Sequence, residues 1–185
     1  MRILGTLLLA VCCMVVSSPS FAHAKKAHHK AAIHTGDKIT DLVLLAQPRR
    51  GLGYARRVSR EIKNESRREH ISPTIVATTA YIESEFNPNS GPCTGIMQLN
   101  ERAHRKDYRG KNPSNLNENV CLGARELHQD LASRGGSYQR MWGRYNGAGS
   151  HSSYVTRAMR VYNRLQNGNY AEWKHHLEKR GELWR

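Results

Sequence analysis

Ser72-Pro73-Thr74-Ile75-Val76-Ala77-Thr78-Thr79-Ala80-Tyr81-Ile82-Glu83-Ser84 decides how this chain is read. A serine followed by a proline marks a helix start, because serine caps the free N–H groups and proline fits the first helical position. Val76, Ala80 and Glu83 are spaced four and three apart and so share one face. That places a carboxylate where a leucine would ordinarily sit. Burial disfavours the charged form and raises the pKa, which suits a group that donates a proton near neutral pH. The plainer alternative is a helix-end glutamate turned to solvent.

Working outward, Glu83-Ser84 is followed by Phe86-Asn87-Pro88, a turn through Ser90-Gly91-Pro92-Cys93, and Gly95-Ile96-Met97-Gln98-Leu99-Asn100. Further on come Asn119-Val120-Cys121-Leu122-Gly123, then Tyr145-Asn146-Gly147-Ala148-Gly149 and Tyr154-Val155. In their order these elements resemble the lytic transglycosylases with a soluble-lytic-transglycosylase (SLT), lysozyme-like domain. Four ordered motifs between about residues 55 and 165 are far more specific than any one alone. The chain departs from the family pattern in a shorter loop after Glu-Ser, in Cys93, and in a glycine at position 147.

The resemblance implies a mainly α, lysozyme-like single domain with at most a very short β element. It also implies cleavage of the β-1,4 bond between N-acetylmuramic acid and N-acetylglucosamine, with Glu83 as the single acid and base and 1,6-anhydromuramic acid ends as products. By the same resemblance Ser84 orients Glu83 or its neighbours, Met97 and Gln98 line the groove, and Tyr145 and Asn146 contact the sugar or steady the acid. Each supporting residue has a plainer reading. Met97 suits a core, Tyr145 a core position with one satisfied hydroxyl, Asn146-Gly147 a turn, and Ser84 a helix-end hydrogen bond.

Most glycosidases pair the acid with a second carboxylate. Glu85 lies about 200° around the helix from Glu83 and does not suit that part. Glu101 and Asp107 fall in the loop region, where nothing in the sequence directs them to a groove. A one-carboxylate mechanism is the economical reading, since the sugar's own C6 hydroxyl attacks at high effective molarity. Two alternatives remain: a muramidase that uses water, and a non-catalytic wall-binding scaffold. No cofactor is expected.

Arg2, the apolar run Ile3 to Val16, and Ala22-His23-Ala24 read as a signal peptide over residues 1–24. The chain is therefore expected to be exported, to the periplasm or beyond, after cleavage near Ala24. The run is too short to span a bilayer, and no other stretch is long enough, so stable membrane insertion is not expected. Removing 24 of 185 residues leaves 161, enough for one compact domain, expected as a monomer.

Cys12 and Cys13 leave with the leader, and Cys93 and Cys121 remain. In an oxidising compartment two remaining cysteines invite a disulfide, which would close a loop of about 27 residues and stabilise by a few kcal/mol. Two buried thiols are the alternative. His28-His29 and His175-His176 lack the spaced ligand set of a zinc site, so no metal is expected.

The formal charge is +14, of which only Arg2 would be lost. Such a charge implies an anionic partner or surface. Without a nucleic-acid-binding signature, peptidoglycan glycan strands fit better than nucleic acid. A secretion, conjugation or phage-entry apparatus is a conceivable setting for local wall remodelling.

Residues 25–53 read as a basic flexible arm or linker, with at most a short amphipathic turn from Ile39 to Leu45. The domain is expected over 54–168, with helices at about 54–70, 73–84, 119–133, 137–145 and 152–166. Residues 87–118 read as loops with at most a short strand near Ile96 to Asn100. The tail 169–185, with Trp173 and Trp184, has no readable role.

Overall fold

The structure is a computed structural model that describes residues 35–104, 106, 108, 110–167 and 175. The expected leader 1–24, the start of the basic arm, His28-His29, Asp107, and the tail 169–185 apart from His175 lie outside the described residues.

The packed body begins earlier than the sequence implies. Lys38–Ala46 forms helix α1, capped by Asp37, whose carboxylate accepts from the Ile39 N–H. Leu42, Val43 and Leu45 are wholly buried. The reading of residues through Gly53 as a flexible linker is therefore corrected from Lys38 onward. Ile39 to Leu45 holds enough apolar surface to be drawn into a core, although flanking cations and Pro48 mask it in composition.

A short 3-10 turn, Pro48–Arg50, leads into α2, Gly51–Arg68. Ala55, Val58, Ser59, Ile62, Glu65 and Ser66 form its single buried stripe, and the intervening positions carry most of its cations. This is the pattern of a helix with one face on a core.

Helix α3, Pro73–Ser84, is surrounded. Ser72 caps it by accepting from the Thr74 N–H, Pro73 occupies the first position, and eight of its residues are buried. The short α4, Glu101–His104, follows in the loop region. Helices α5, Leu116–Ser133, α6, Tyr138–Tyr145, and α7, Ser153–Gln166, complete the fold. Helix α2 packs on α1, α3 and α5, α6 joins α5 to α7, and α7 returns onto α3. The Trp142 side chain is fully buried among these helices and donates its indole N–H to Thr79 Oγ1 at 2.9 Å.

Among the described residues the only β feature is one antiparallel bridge between Thr94 and Leu99. It closes the Gly95–Leu99 loop into a compact turn beside the end of α3. The fold is thus a mainly α single domain, as the sequence implies.

Candidate active site

Helix α3 ends in an unusual way. Glu85 and Phe86 both take left-handed backbone conformations, with φ of 49° and 60°. Side chains other than glycine resist this region. Phe86 is nonetheless wholly buried, and its N–H reaches back to the Ala80 carbonyl at 3.4 Å. Burying that ring offsets the local strain and stops the helix one turn after Ala80. Glu83 is left in the last turn, partly exposed, while Glu85 is turned outward to solvent.

Two residues of α7, one turn apart, meet the end of α3. Tyr154 donates its hydroxyl to Glu83 Oε1 at 2.6 Å. Arg157 donates to the Ile82 carbonyl at 2.9 Å, which brings its positive charge close to the carboxylate. Burial raises the Glu83 pKa, and the Tyr154 hydrogen bond and the Arg157 charge oppose the rise without cancelling it. Burial and the nearby carboxylate push the Tyr154 hydroxyl far up, so it stays a donor. The Glu83 carboxyl is thus desolvated, with one hydroxyl donor and one positive charge that favour its anion.

Tyr145, at the end of α6, donates to the Met97 carbonyl at 2.8 Å. Burial holds its phenol well above the usual range, and the charges of Glu126 and Glu83 add to the effect. Tyr145 thus lies close to the acid while bracing the Gly95–Leu99 loop.

The loop is held from below by α5. Asn119 is buried, accepts from the Met97 N–H at 3.0 Å and donates to the Thr94 carbonyl at 2.9 Å. Gly95 has φ of 71° and lies against the Asn119 amide, so a side chain there would be excluded by both backbone and space. One turn along, a Cβ on Gly123 would fall 2.6 Å from Met97 Cε. The Asn-x-x-x-Gly spacing is therefore a seat for the loop.

These contacts divide the residues expected at the site. Glu83 and Tyr145 come together, and Tyr154 joins them. Ser84 is buried and donates to the Ile96 carbonyl at 2.7 Å, with Ala80 O at 3.0 Å. It is a tie between α3 and the loop, with its hydroxyl taken up inside the fold and not turned to a groove. The expectation that Met97 lines the groove is corrected to the core position: its side chain is fully buried against Gly123, and its backbone makes the contacts with Asn119 and Tyr145. Gln98, at φ of 48°, folds its amide back to the Gly95 carbonyl at 2.8 Å. Asn146 is exposed and donates its backbone N–H to the Trp142 carbonyl at 3.2 Å.

Cys93 and Cys121 are free thiols, so the expected disulfide is not formed. Helix geometry explains this. Asn119 faces the loop that carries Thr94, and Cys121, two positions on, points about 200° away. Cys121 Sγ lies instead 3.2 Å from Lys111 Nζ and 3.3 Å from Glu69 Oε1. Burial, reinforced by Glu69, pushes the thiol's pKa up. Among the described residues no group of three or more His, Cys, Asp or Glu side chains is placed to hold a metal ion.

Sequence reasoning missed Tyr154 as the partner of the acid, along with Arg157 and the double role of Asn119. Tyr154-Val155 and Asn119 were visible as motif letters, yet their functions depend on contacts that span 71 and 22 residues.

The family model of the transglycosylase SLT domain matches residues 60–166. Neither a curated protein nor a solved structure matches at a significant level. The match covers more than half of the chain, and the protein belongs to the transglycosylase SLT domain family. Its function is accordingly of the lytic-transglycosylase type, acting on peptidoglycan. No helix of the described residues is long and apolar enough to cross a membrane.

Proposed function

We propose that the protein is an exported peptidoglycan lytic transglycosylase in which Glu83 serves as both acid and base. The observation that carries this reading is the Glu83 carboxyl itself, desolvated at the end of α3 and held by Tyr154 at 2.6 Å. Its raised pKa keeps the proton available for the oxygen of the β-1,4 bond between N-acetylmuramic acid and N-acetylglucosamine. Once the proton has left, the Tyr154 hydroxyl and the Arg157 charge stabilise the carboxylate.

The substrate's N-acetyl group stabilises the positive charge at the anomeric carbon. The carboxylate then takes the proton of the C6 hydroxyl as that oxygen attacks, giving a 1,6-anhydro end and restoring the acid. Because the nucleophile is part of the same sugar, its effective concentration is high and no second carboxylate is required. Glu101 supports this economy, since it accepts a hydrogen bond from Thr94 Oγ1 within the loop. Export is supported by the basic, apolar and small-residue pattern of residues 1–24.

Mass spectrometry of fragments released from purified peptidoglycan tests the reading. The wild-type chain is expected to release 1,6-anhydro fragments, and Glu83→Gln to slow release by at least about a hundredfold, within the range of one general acid. Reducing-end fragments would instead identify a hydrolase.

A further inference from the structure

The residues that follow the helix carrying the acid are gripped one by one from the turn between α1 and α2. Gln47 Nε2 donates to the Glu85 carbonyl at 3.0 Å, the Tyr54 hydroxyl to the Phe86 carbonyl at 2.6 Å, and the Arg50 guanidinium to Asn87 Oδ1 at 3.4 Å. Each donor is remote from its acceptor in sequence, by 38, 32 and 37 positions respectively. The match to the SLT domain begins at residue 60, so all three donors precede it.

The gripped segment is also the strained one. Glu85 and Phe86 both have positive φ, where a helix end ordinarily places a single glycine. Such strain persists only where the surroundings fix it from more than one side. Burial of the Phe86 ring supplies one anchor. It does nothing for Glu85, which is exposed, or for the direction of the two carbonyls. Gln47 and Tyr54 take up those carbonyls.

The donors are themselves held. Gln47 closes α1 through its own N–H, which bonds to the Val43 carbonyl at 2.8 Å. The Tyr54 ring packs against the core, with the Arg50 and Arg57 guanidinium carbons 4.9 and 5.8 Å from its centre. Burial pushes its phenol up, so the hydroxyl stays a donor.

Glu83 lies two residues before the strained pair, and its 2.6 Å contact with Tyr154 depends on where the last turn of α3 stops. Were Glu85 and Phe86 to relax into the right-handed region, the chain would leave α3 in another direction. The last turn would then be free to shift against α7.

We propose that Gln47, Arg50 and Tyr54 are positioning residues for Glu83, and that the α1–α2 turn, outside the matched domain, is a working part of the active site. The proposal rests on the reading of Glu83 as the acid and extends the apparatus that holds it. Tyr54 carries the largest share, since its hydrogen bond is the shortest of the three and the least exposed.

Two measurements on the full chain test this. Tyr54→Phe keeps the ring and removes the donor, so kcat on purified peptidoglycan is expected to fall about tenfold while KM changes less than about twofold. In a Tyr154→Phe background the contact to be preserved is already gone, and adding Tyr54→Phe is expected to cost less than about twofold more. The second measurement follows the Glu83 carboxyl carbon by NMR titration, assigned by its loss in Glu83→Gln. Tyr154 and Arg157 on α7 face this carboxyl, with Tyr145 on α6 and Glu126 on α5 beyond, and none of them is altered by Tyr54→Phe. Burial is the largest influence on it, so a loosened turn that admits water is expected to lower its pKa towards the ordinary 4.5. A loss of fold stability alone would leave that titration of the folded protein in place.

An unchanged kcat or an unchanged titration in Tyr54→Phe overturns the proposal, as does a tenfold loss in both backgrounds, which would mean that Tyr54 acts independently of the Glu83–Tyr154 contact. A wild-type chain that cleaves nothing would count against the enzymatic reading, while the titration would still decide whether the α1–α2 turn holds Glu83 in place.

Discussion

At Glu83 two influences act in opposite directions on one proton. Burial raises the pKa, and the Tyr154 hydroxyl lowers it by stabilising the charged form. The first step requires the protonated acid, so the rate falls as pH rises through the raised pKa. Tyr154→Phe removes a donor to the carboxylate, so the protonated form should persist to higher pH and the alkaline limb of the kcat/KM profile should move up. We expect the maximal rate to drop by about tenfold at the same time, because a general acid must be held in place to act. A limb that stays put or moves down would mean that the hydrogen bond does not favour the anion. Arg157→Ala should move the limb in the same direction by a smaller amount, since its charge acts without a hydrogen bond to the carboxylate.

The Gly95–Leu99 loop and its seat on α5 behave as one element. Asn119→Ala would strand the buried Met97 N–H, at about 1–3 kcal/mol for a buried group left unsatisfied, while the Thr94 carbonyl would keep the Leu99 N–H. Chemical denaturation should register that loss. Activity at a temperature where the variant stays folded should fall as well, because Tyr145 is braced on the same loop. Gly123→Ala should be nearly as damaging, since Met97 fills the space a methyl would need. The motif containing Met97 was legible, but which of its parts faces inward was not: a turn reverses its side chains through backbone angles such as the φ of 48° at Gln98. Helix α3 was legible because Ser72-Pro73 announces its start and Glu83 keeps helical register with Val76 and Ala80. Tyr154 was not, since its meaning comes from the packing of α7 on α3. The cysteine pair misled because position in sequence does not say that Cys121 lies on the face of α5 turned away from the loop that carries Cys93.

For the whole molecule, the question is where the folded unit begins. Helix α1 supplies Leu42, Val43 and Leu45 to the core, so Leu42→Ala should cost about 2–5 kcal/mol. Its attachment to α2 runs through Asp37. That carboxylate accepts from Thr40 Oγ1 at 2.6 Å and Ser59 Oγ at 2.6 Å, and pairs with Lys63 Nζ at 2.7 Å. Burial alone would raise its pKa, but the hydrogen bonds from Lys63, Ser59 and Thr40 together outweigh it and pull the carboxyl down to about 2. The folded value lies below the ordinary 3.8, so the unfolded chain binds the proton more readily as pH falls. The stabilisation is therefore complete above about pH 4 and is lost as pH falls through about 2. Asp37→Ala should lower stability at neutral pH by about 1–2 kcal/mol, the range for a lost N-cap, the partly exposed Lys63 pair adding little. Thermal unfolding of wild type and variant should converge as pH is lowered towards 2. A difference that persists undiminished at low pH would show that Asp37 acts through packing rather than charge, and equal stability at neutral pH would detach α1 from the cooperative unit.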